Sequence, residues 1–135
     1  MQHKIRRKIE KIIRYLEILE DFKSDCKKRF LEDVKFEGAL LHYLYTVSDS
    51  CISLAEMIIK YKSLRMAQSY YESIDILGES GILPREFAYN FAKIASFRNF
   101  LAHDYEDVDY AYLCEDALNK TKDIRTYIDY IKKVM

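Results

Sequence analysis

The chain has 135 residues, half of them hydrophobic, with 3 glycines and 1 proline. Strand-rich and disordered chains need far more turn chemistry than that, so the composition points to long helices around a core that needs no staples. Lys plus Arg and Asp plus Glu balance at 22 each, which excludes a protein that holds nucleic acid mainly through its overall field.

The length is that of one ordinary domain, read as 1–135. The first helix is predicted from Gln2 to Phe22, because Ile5, Ile9, Ile12, Leu16, Leu19 and Phe22 recur at three- and four-residue steps. It carries a basic run, Lys4, Arg6, Arg7, Lys8, Lys11 and Arg14, whose simplest reading is a solvated helix face. The polar stretch Lys23 to Arg29 is expected to turn. A second helix follows from Leu31 to Tyr61, with Leu41, Leu44, Ser48, Ile52, Ala55 and Ile59 as its stripe and Gly38 as a weak point.

Ser69 and Glu72 have the spacing of a capping box, in which each side chain bonds the other's backbone N–H. They start a short helix that Gly78 or Gly81 should end. Pro84 fits the first turn of a fourth helix, where its missing N–H costs nothing. Phe87, Phe91, Ile94, Arg98 and Leu101 share one face of it, and it should end near Ala102 or His103. Asp104, Glu106, Asp107, Asp109, Glu115 and Asp116 form an acidic block, in which Asp109 can cap the last helix. The inner face there is Cys114, Ala117, Thr121, Ile124, Ile128, Ile131 and Met135. The expected fold is all-α: an antiparallel up-and-down bundle of four long helices plus one short one.

Cys26, Cys51 and Cys114 are odd in number, far apart, and in no pair with metal-ligand or redox spacing. That fits a reducing cytosol. The basic N-terminus has no apolar region after it, and no apolar run approaches the ~18 residues of a membrane span. A cytoplasmic protein without a membrane partner is expected.

One residue breaks the pattern of the fourth helix. Arg98 sits where the apolar stripe wants Leu or Phe, and a cation at a helix interface is costly unless it is paired or wet. His103 follows five residues later, about 140° around a regular helix from Arg98. Asn99 and His103 are neighbours at i and i+4. Either the helix ends irregularly, or two copies of the segment assemble a site across a dimer axis. An Arg and a His at this spacing are common in helical proteins, and a histidine at a helix C-terminus also serves as a cap.

Arg98-Asn99-x-x-x-His103-x-Tyr105 resembles the signature of HepT-like HEPN toxins. Tyr70, Leu77, the run Gly81-Ile82-Leu83-Pro84 and the Tyr–acidic segment leading to Asp109 keep that family's order and spacing. The early basic helix and the pattern from Ala39 to Ile59 are also similar, so the resemblance covers almost the whole chain. Where members carry a Glu and then an Asp on the second helix, this chain has Asp49 and Ser53.

The resemblance implies a metal-independent endoribonuclease toxin, a homodimer joined through the motif helices, acting on RNA with no cofactor. It implies catalytic roles for Arg98, Asn99 and His103. Histidine suits proton transfer near neutral pH, and arginine, always charged and forked, suits the oxygens of a phosphorane. Asn99 would orient His103 or the phosphate. It also implies a partner, a minimal nucleotidyltransferase antitoxin that transfers AMP onto Tyr105. The added anion beside Arg98 would compete with RNA phosphate. The alternative is a non-catalytic HEPN helical partner, a substrate-binding subunit of a nucleotidyltransferase, which has no need of an arginine on an apolar stripe.

Overall fold

Ile5, Ile9, Ile12, Leu16 and Leu19 are all buried on α1, Gln2–Asp21, as their spacing predicts. A computed structural model describes residues 1–103 and 109–135 of the chain. The expected turn over Lys23 to Arg29 is instead broken by a short helix, α2, Cys26–Glu32. Its two buried side chains, Cys26 and Phe30, are one turn apart, too few to register as a helical stripe in the sequence.

α3, Val34–Tyr61, starts three residues later than the expected Leu31. Asp33 sets the boundary, since its Oδ1 accepts the backbone N–H groups of Lys35 at 2.9 Å and Phe36 at 3.4 Å. The helix passes unbroken through Gly38, which lies exposed with open space around it. Leu44, Ser48, Ile52, Ala55 and Ile59 are buried as expected, whereas Leu41 is half-buried and Leu40 takes the core position. A second face, with Phe36, Val47, Leu54 and Ile58, is buried as well. α3 is therefore the central helix, packed on more than one side.

α1 runs antiparallel to it. Gln2 Nε2 donates to the Tyr61 hydroxyl at 2.6 Å at one end, and the Phe22 ring stacks on Phe36 at 4.7 Å at the other.

α4, Tyr70–Glu79, begins with half of the expected box: the Glu72 N–H donates to Ser69 Oγ at 3.0 Å. The Glu72 carboxylate accepts from Gln68 N–H and Arg65 instead of from Ser69. Gly81, at φ +84°, takes the left-handed conformation just past the helix end. Gly78 lies inside the helix for a different reason. A Cβ there would stand 2.5 Å from the Ala88 Cβ.

Pro84 immediately precedes α5, Arg85–Phe91, one residue earlier than its expected place. The single fourth helix of the sequence reading is in fact two, α5 and then α6, Ile94–His103. At the break the backbone tightens: Lys93 N–H bonds Asn90 O and Ala95 N–H bonds Ala92 O, three residues back. The Asn90 amide also donates to Glu86 O and competes for the backbone.

After Asp109, whose Oδ1 accepts from Ala111 N–H at 3.0 Å, the chain winds a wide π-helical turn over Tyr112–Ala117. It tightens across Leu118–Lys120 and becomes α7, Thr121–Lys132. Ala117, Thr121, Ile124, Ile128 and Ile131 are buried as expected, joined by Leu113, Leu118 and Tyr127. The fully buried Tyr127 hydroxyl donates to Cys51 O at 2.8 Å, tying α7 to the middle of α3. Cys114 is not a free inner-face thiol. It forms a disulfide with Cys26, with Cα atoms 5.7 Å apart, because the unexpected α2 carries Cys26 against the π-helical turn.

Every regular element among the described residues is helical, and the buried side chains form one cluster around α3. Among those residues no helix is long and apolar enough to cross a membrane.

Candidate active site

Arg98 turns toward α3 from the middle of α6, and its side chain is only 15% exposed. Nε donates to Asp49 Oδ1 at 3.0 Å, Nη2 to the Tyr45 hydroxyl at 3.1 Å, and Nη1 to Asn99 Oδ1 at 3.2 Å. The guanidinium carbon lies 4.8 Å from the Tyr70 ring centre and 5.3 Å from that of Tyr45. This answers the cost of a cation on an apolar stripe: it is paired, hydrogen-bonded, and set between two aromatic rings. Burial works against its charge, but the Asp49 hydrogen bond and the charge interactions with Tyr45, Tyr70 and Asp49 outweigh burial and raise its pKa. Arg98 is a fixed positive charge at any pH a protein meets.

Of the five guanidinium N–H groups, three are engaged in these bonds. The other two bond no described residue, and phosphate oxygens are the natural acceptors for such a fork.

Tyr45 and Asp49 lie at i and i+4 on α3, so one turn of that helix supplies both grips. Tyr70 comes from the first residue of α4, held there by the Ser69 cap. Three helices thus meet at one guanidinium. Glu56, two turns beyond Asp49 on the same side of α3, has a raised pKa, first from partial burial and then from the Asp49 charge.

Asn99 is exposed, with its amide oxygen on Arg98. His103 is the exposed last residue of α6. Because α6 runs unbroken from Ile94 to His103, the about 140° offset between Arg98 and His103 holds within one chain. The structure bonds Arg98 to Asn99, keeps Asn99 and His103 one turn apart on α6, and sets His103 on a different side of the helix from Arg98. Tyr105 and the acidic residues Asp104, Glu106 and Asp107 lie outside the described residues.

The sequence marks Asp49 without a role and Tyr70 only through the family resemblance, and it gives Tyr45 no mark at all. The i, i+4 spacing of Tyr45 and Asp49, facing the side of α3 that the buried arginine needed, was the available signal.

A groove of about 810 Å³ opens on another face of α6, lined by Phe97, Phe100, Tyr112, Phe87 and Phe91 among others. Neither Arg98 nor His103 lines it, so size alone does not mark the polar site.

A sequence model of the family described as "Ribonuclease HepT-like" matches residues 12–131. The chain is 24% identical over 125 residues to the mRNA nuclease HepT of Shewanella oneidensis, covering 93% of each. It is 28% identical over 107 residues to the tRNA nuclease HepT of Aphanizomenon flos-aquae, covering 78% of this chain and 71% of that one. Among solved structures it superposes on the tri-AMPylated Shewanella oneidensis HEPN toxin in complex with MNT antitoxin with a TM-score of 0.84, at 23% identity and 96% coverage of both. The same helical fold occurs in the Bacillus subtilis cytosolic protein YutE, with a TM-score of 0.83, at 16% identity and 98% and 89% coverage. With 120 of its 135 residues inside the family match, the chain belongs to the ribonuclease HepT-like family.

Proposed function

We propose that this chain is an endoribonuclease toxin, in which Arg98, Asn99 and His103 cleave RNA without a metal at a homodimer cleft. The observation that carries the reading is the Arg98 guanidinium, fixed by Asp49, Tyr45 and Asn99 with two donors that bond no other described residue. The bonds to Asp49 and Tyr45 meet the cost of placing the cation there, and the remaining donors suit a phosphate. The names of the relatives, an mRNA nuclease and a tRNA nuclease, support it.

The reaction uses the 2′-hydroxyl of the RNA. Its oxygen attacks the adjacent phosphorus while a base takes its proton. The bond to the 5′-oxygen breaks, and an acid returns a proton to that oxygen. A 2′,3′-cyclic phosphate and a 5′-hydroxyl end result. Arg98 offers the two N–H groups not bonded to described residues to the phosphorane oxygens, whose charge grows in the transition state. His103 transfers the protons. One imidazole serves poorly as both base and acid in one step, and the offset on α6 keeps it from Arg98 of its own chain. A two-fold axis beside α6 brings His103 of the partner subunit to the other side of the phosphate.

Regulation follows the resemblance. A minimal nucleotidyltransferase antitoxin transfers AMP from ATP onto Tyr105: the phenol oxygen attacks the α-phosphorus, diphosphate leaves, and the phenolic proton goes to solvent. The solved relative described as a tri-AMPylated toxin in complex with MNT antitoxin supports this part. The product carries a phosphodiester two residues beyond His103, where it competes with RNA for Arg98.

The test is RNA cleavage by the purified protein in the presence of a chelator. Wild type should cut, and His103→Ala and Arg98→Ala should not, while all three keep the same helical content. Cleavage by His103→Ala at the wild-type rate would refute the mechanism. Growth arrest on expression without the antitoxin separates the toxin from a non-catalytic helical subunit, which would leave growth unchanged.

A further inference from the structure

Resting on the ribonuclease reading, we propose that the basic face of α1 is a backbone rail for single-stranded RNA, leading along the His42–Asp49 line of α3 to Arg98. Lys4, Arg7, Lys8, Lys11 and Arg14 fall at i, i+3, i+4, i+7 and i+10. They cover about 120° of the helix and about 15 Å of its length. Lys4, Arg7 and Arg14 are exposed, and Lys8 and Lys11 are half-buried. Among the described residues the ion pairs engage Arg29, Arg65, Arg98 and Arg125, and none engages a cation of α1. A merely solvated face of a protein with zero net charge would interleave both signs; Glu10 and Glu17 lie off this stripe.

The stripe reaches α3 through aromatic contacts. The Lys11 ammonium and the Arg14 guanidinium sit 5.9 and 5.3 Å from the Tyr15 ring centre. The Tyr15 ring meets Tyr43 of α3 edge-on at 5.4 Å, and Tyr43 meets His42 at 5.4 Å. His42 and Asp49 lie seven residues apart on one line of α3, about 10 Å along it, and Asp49 holds Arg98. Cations interleaved with aromatic rings are the chemistry that binds single strands, with charge tracking the backbone and rings meeting bases.

A membrane surface is the wrong occupant, because the apolar side of α1 is spent in the core and has nothing to insert. An acidic protein surface matches the charge but makes no use of rings that lead to a phosphate-type arginine.

Binding is tested with a single-stranded 2′-O-methyl RNA longer than the stripe, which cannot be cut, so that cleavage is not needed for a readout. Affinity is titrated against salt for the full-length protein, for the Lys4→Gln/Lys8→Gln/Lys11→Gln variant and for its Arg counterpart at the same three positions. Each phosphate contact contributes about 0.7 to the log–log salt slope of a single strand, so the Gln variant should lower the slope by about 2. Its affinity should fall at least about tenfold near 0.1 M salt, and the Arg variant should bind like wild type. All three should melt at the same temperature, because these side chains lie outside the core. An unchanged slope and affinity for the Gln variant overturns the rail. So does a loss of antitoxin binding or of the dimer with RNA binding intact, which would assign the stripe to a protein surface. Wild type that binds this RNA with the expected slope yet cuts no RNA would keep the rail and refute the nuclease.

Discussion

Arg98 on α6 and Asp49 on α3 are joined by a 3.0 Å hydrogen bond between Nε and Oδ1, across 49 residues of sequence. That bond, with the one from Nη2 to the Tyr45 hydroxyl, fixes the guanidinium against α3. Asp49→Asn keeps the shape and removes the charge. It should leave the fold intact, since Asp49 is 43% exposed and such pairs contribute about 1 kcal/mol or less to stability. Chelator-resistant cleavage should fall about 10- to 100-fold, in line with a misaligned reacting geometry. Arg98→Lys, which keeps a charge but loses the fork, should fall further. Wild-type kinetics in Asp49→Asn would deny the carboxylate its positioning role.

Tyr105 is the expected AMP acceptor, and Tyr105→Phe removes only the nucleophilic oxygen. Intact mass after incubation with the antitoxin, ATP and Mg²⁺ should show added AMP on wild type and none on the variant. Equal labelling would move the acceptor elsewhere, with Tyr110 and Tyr112 nearest in sequence, and would leave the nuclease assignment standing.

Gly78 is a packing residue. Gly78→Ala would place its methyl 2.5 Å from the Ala88 Cβ and force α4 and α5 apart. The gain in helix propensity is about 1 kcal/mol. Overpacking costs typically 1–3 kcal/mol, so the expected net effect is a lower melting temperature. Ala88→Gly in the same background should recover part of the loss. A melting temperature above wild type for Gly78→Ala alone would show that the helices separate freely.

Glu56 gives a pH signature. Its pKa is raised by partial burial and by Asp49, so the fold holds its proton more tightly than the unfolded chain does. The stabilisation is therefore fully present below the unfolded pKa and is lost as pH rises through the folded value. Glu56→Gln removes the charge that burial disfavours. It should melt slightly higher than wild type at pH 7, and the gap should close as the pH falls toward 4. A constant gap across that range would mean that the carboxyl titrates as it does in water.

Much of the bundle is legible before any coordinates because its long helices bury regular stripes. The five side chains of α1 repeat at helical steps, and Ser69 marks the start of α4 three residues before its bonding partner. What escapes is what depends on neighbours. α2 buries only Cys26 and Phe30, below the length at which periodicity has meaning, and without α2 nothing brings Cys26 to Cys114. The break between α5 and α6 leaves the apolar stripe nearly in phase, so the pattern continues across it. At the candidate site Arg98 announces itself by being the wrong residue for its position. Tyr45, Asp49 and Tyr70 do not, because their convergence comes from helices distant in sequence, with only the i, i+4 pair on α3 as a clue.

The bond between Cys26 and Cys114 has a topological consequence. Residues 26 to 114 become a covalent ring, closed at α2 and at the π-helical turn, with α1 and α7 as tails outside it. Asp49, Arg98, Asn99, His103 and Tyr105 all lie on the ring. A single peptide cleavage inside it, for instance between Lys62 and Ser69, opens the circle without releasing a fragment. Oxidised protein nicked there should migrate as one species under denaturing conditions and fall into two only when reducing agent is added.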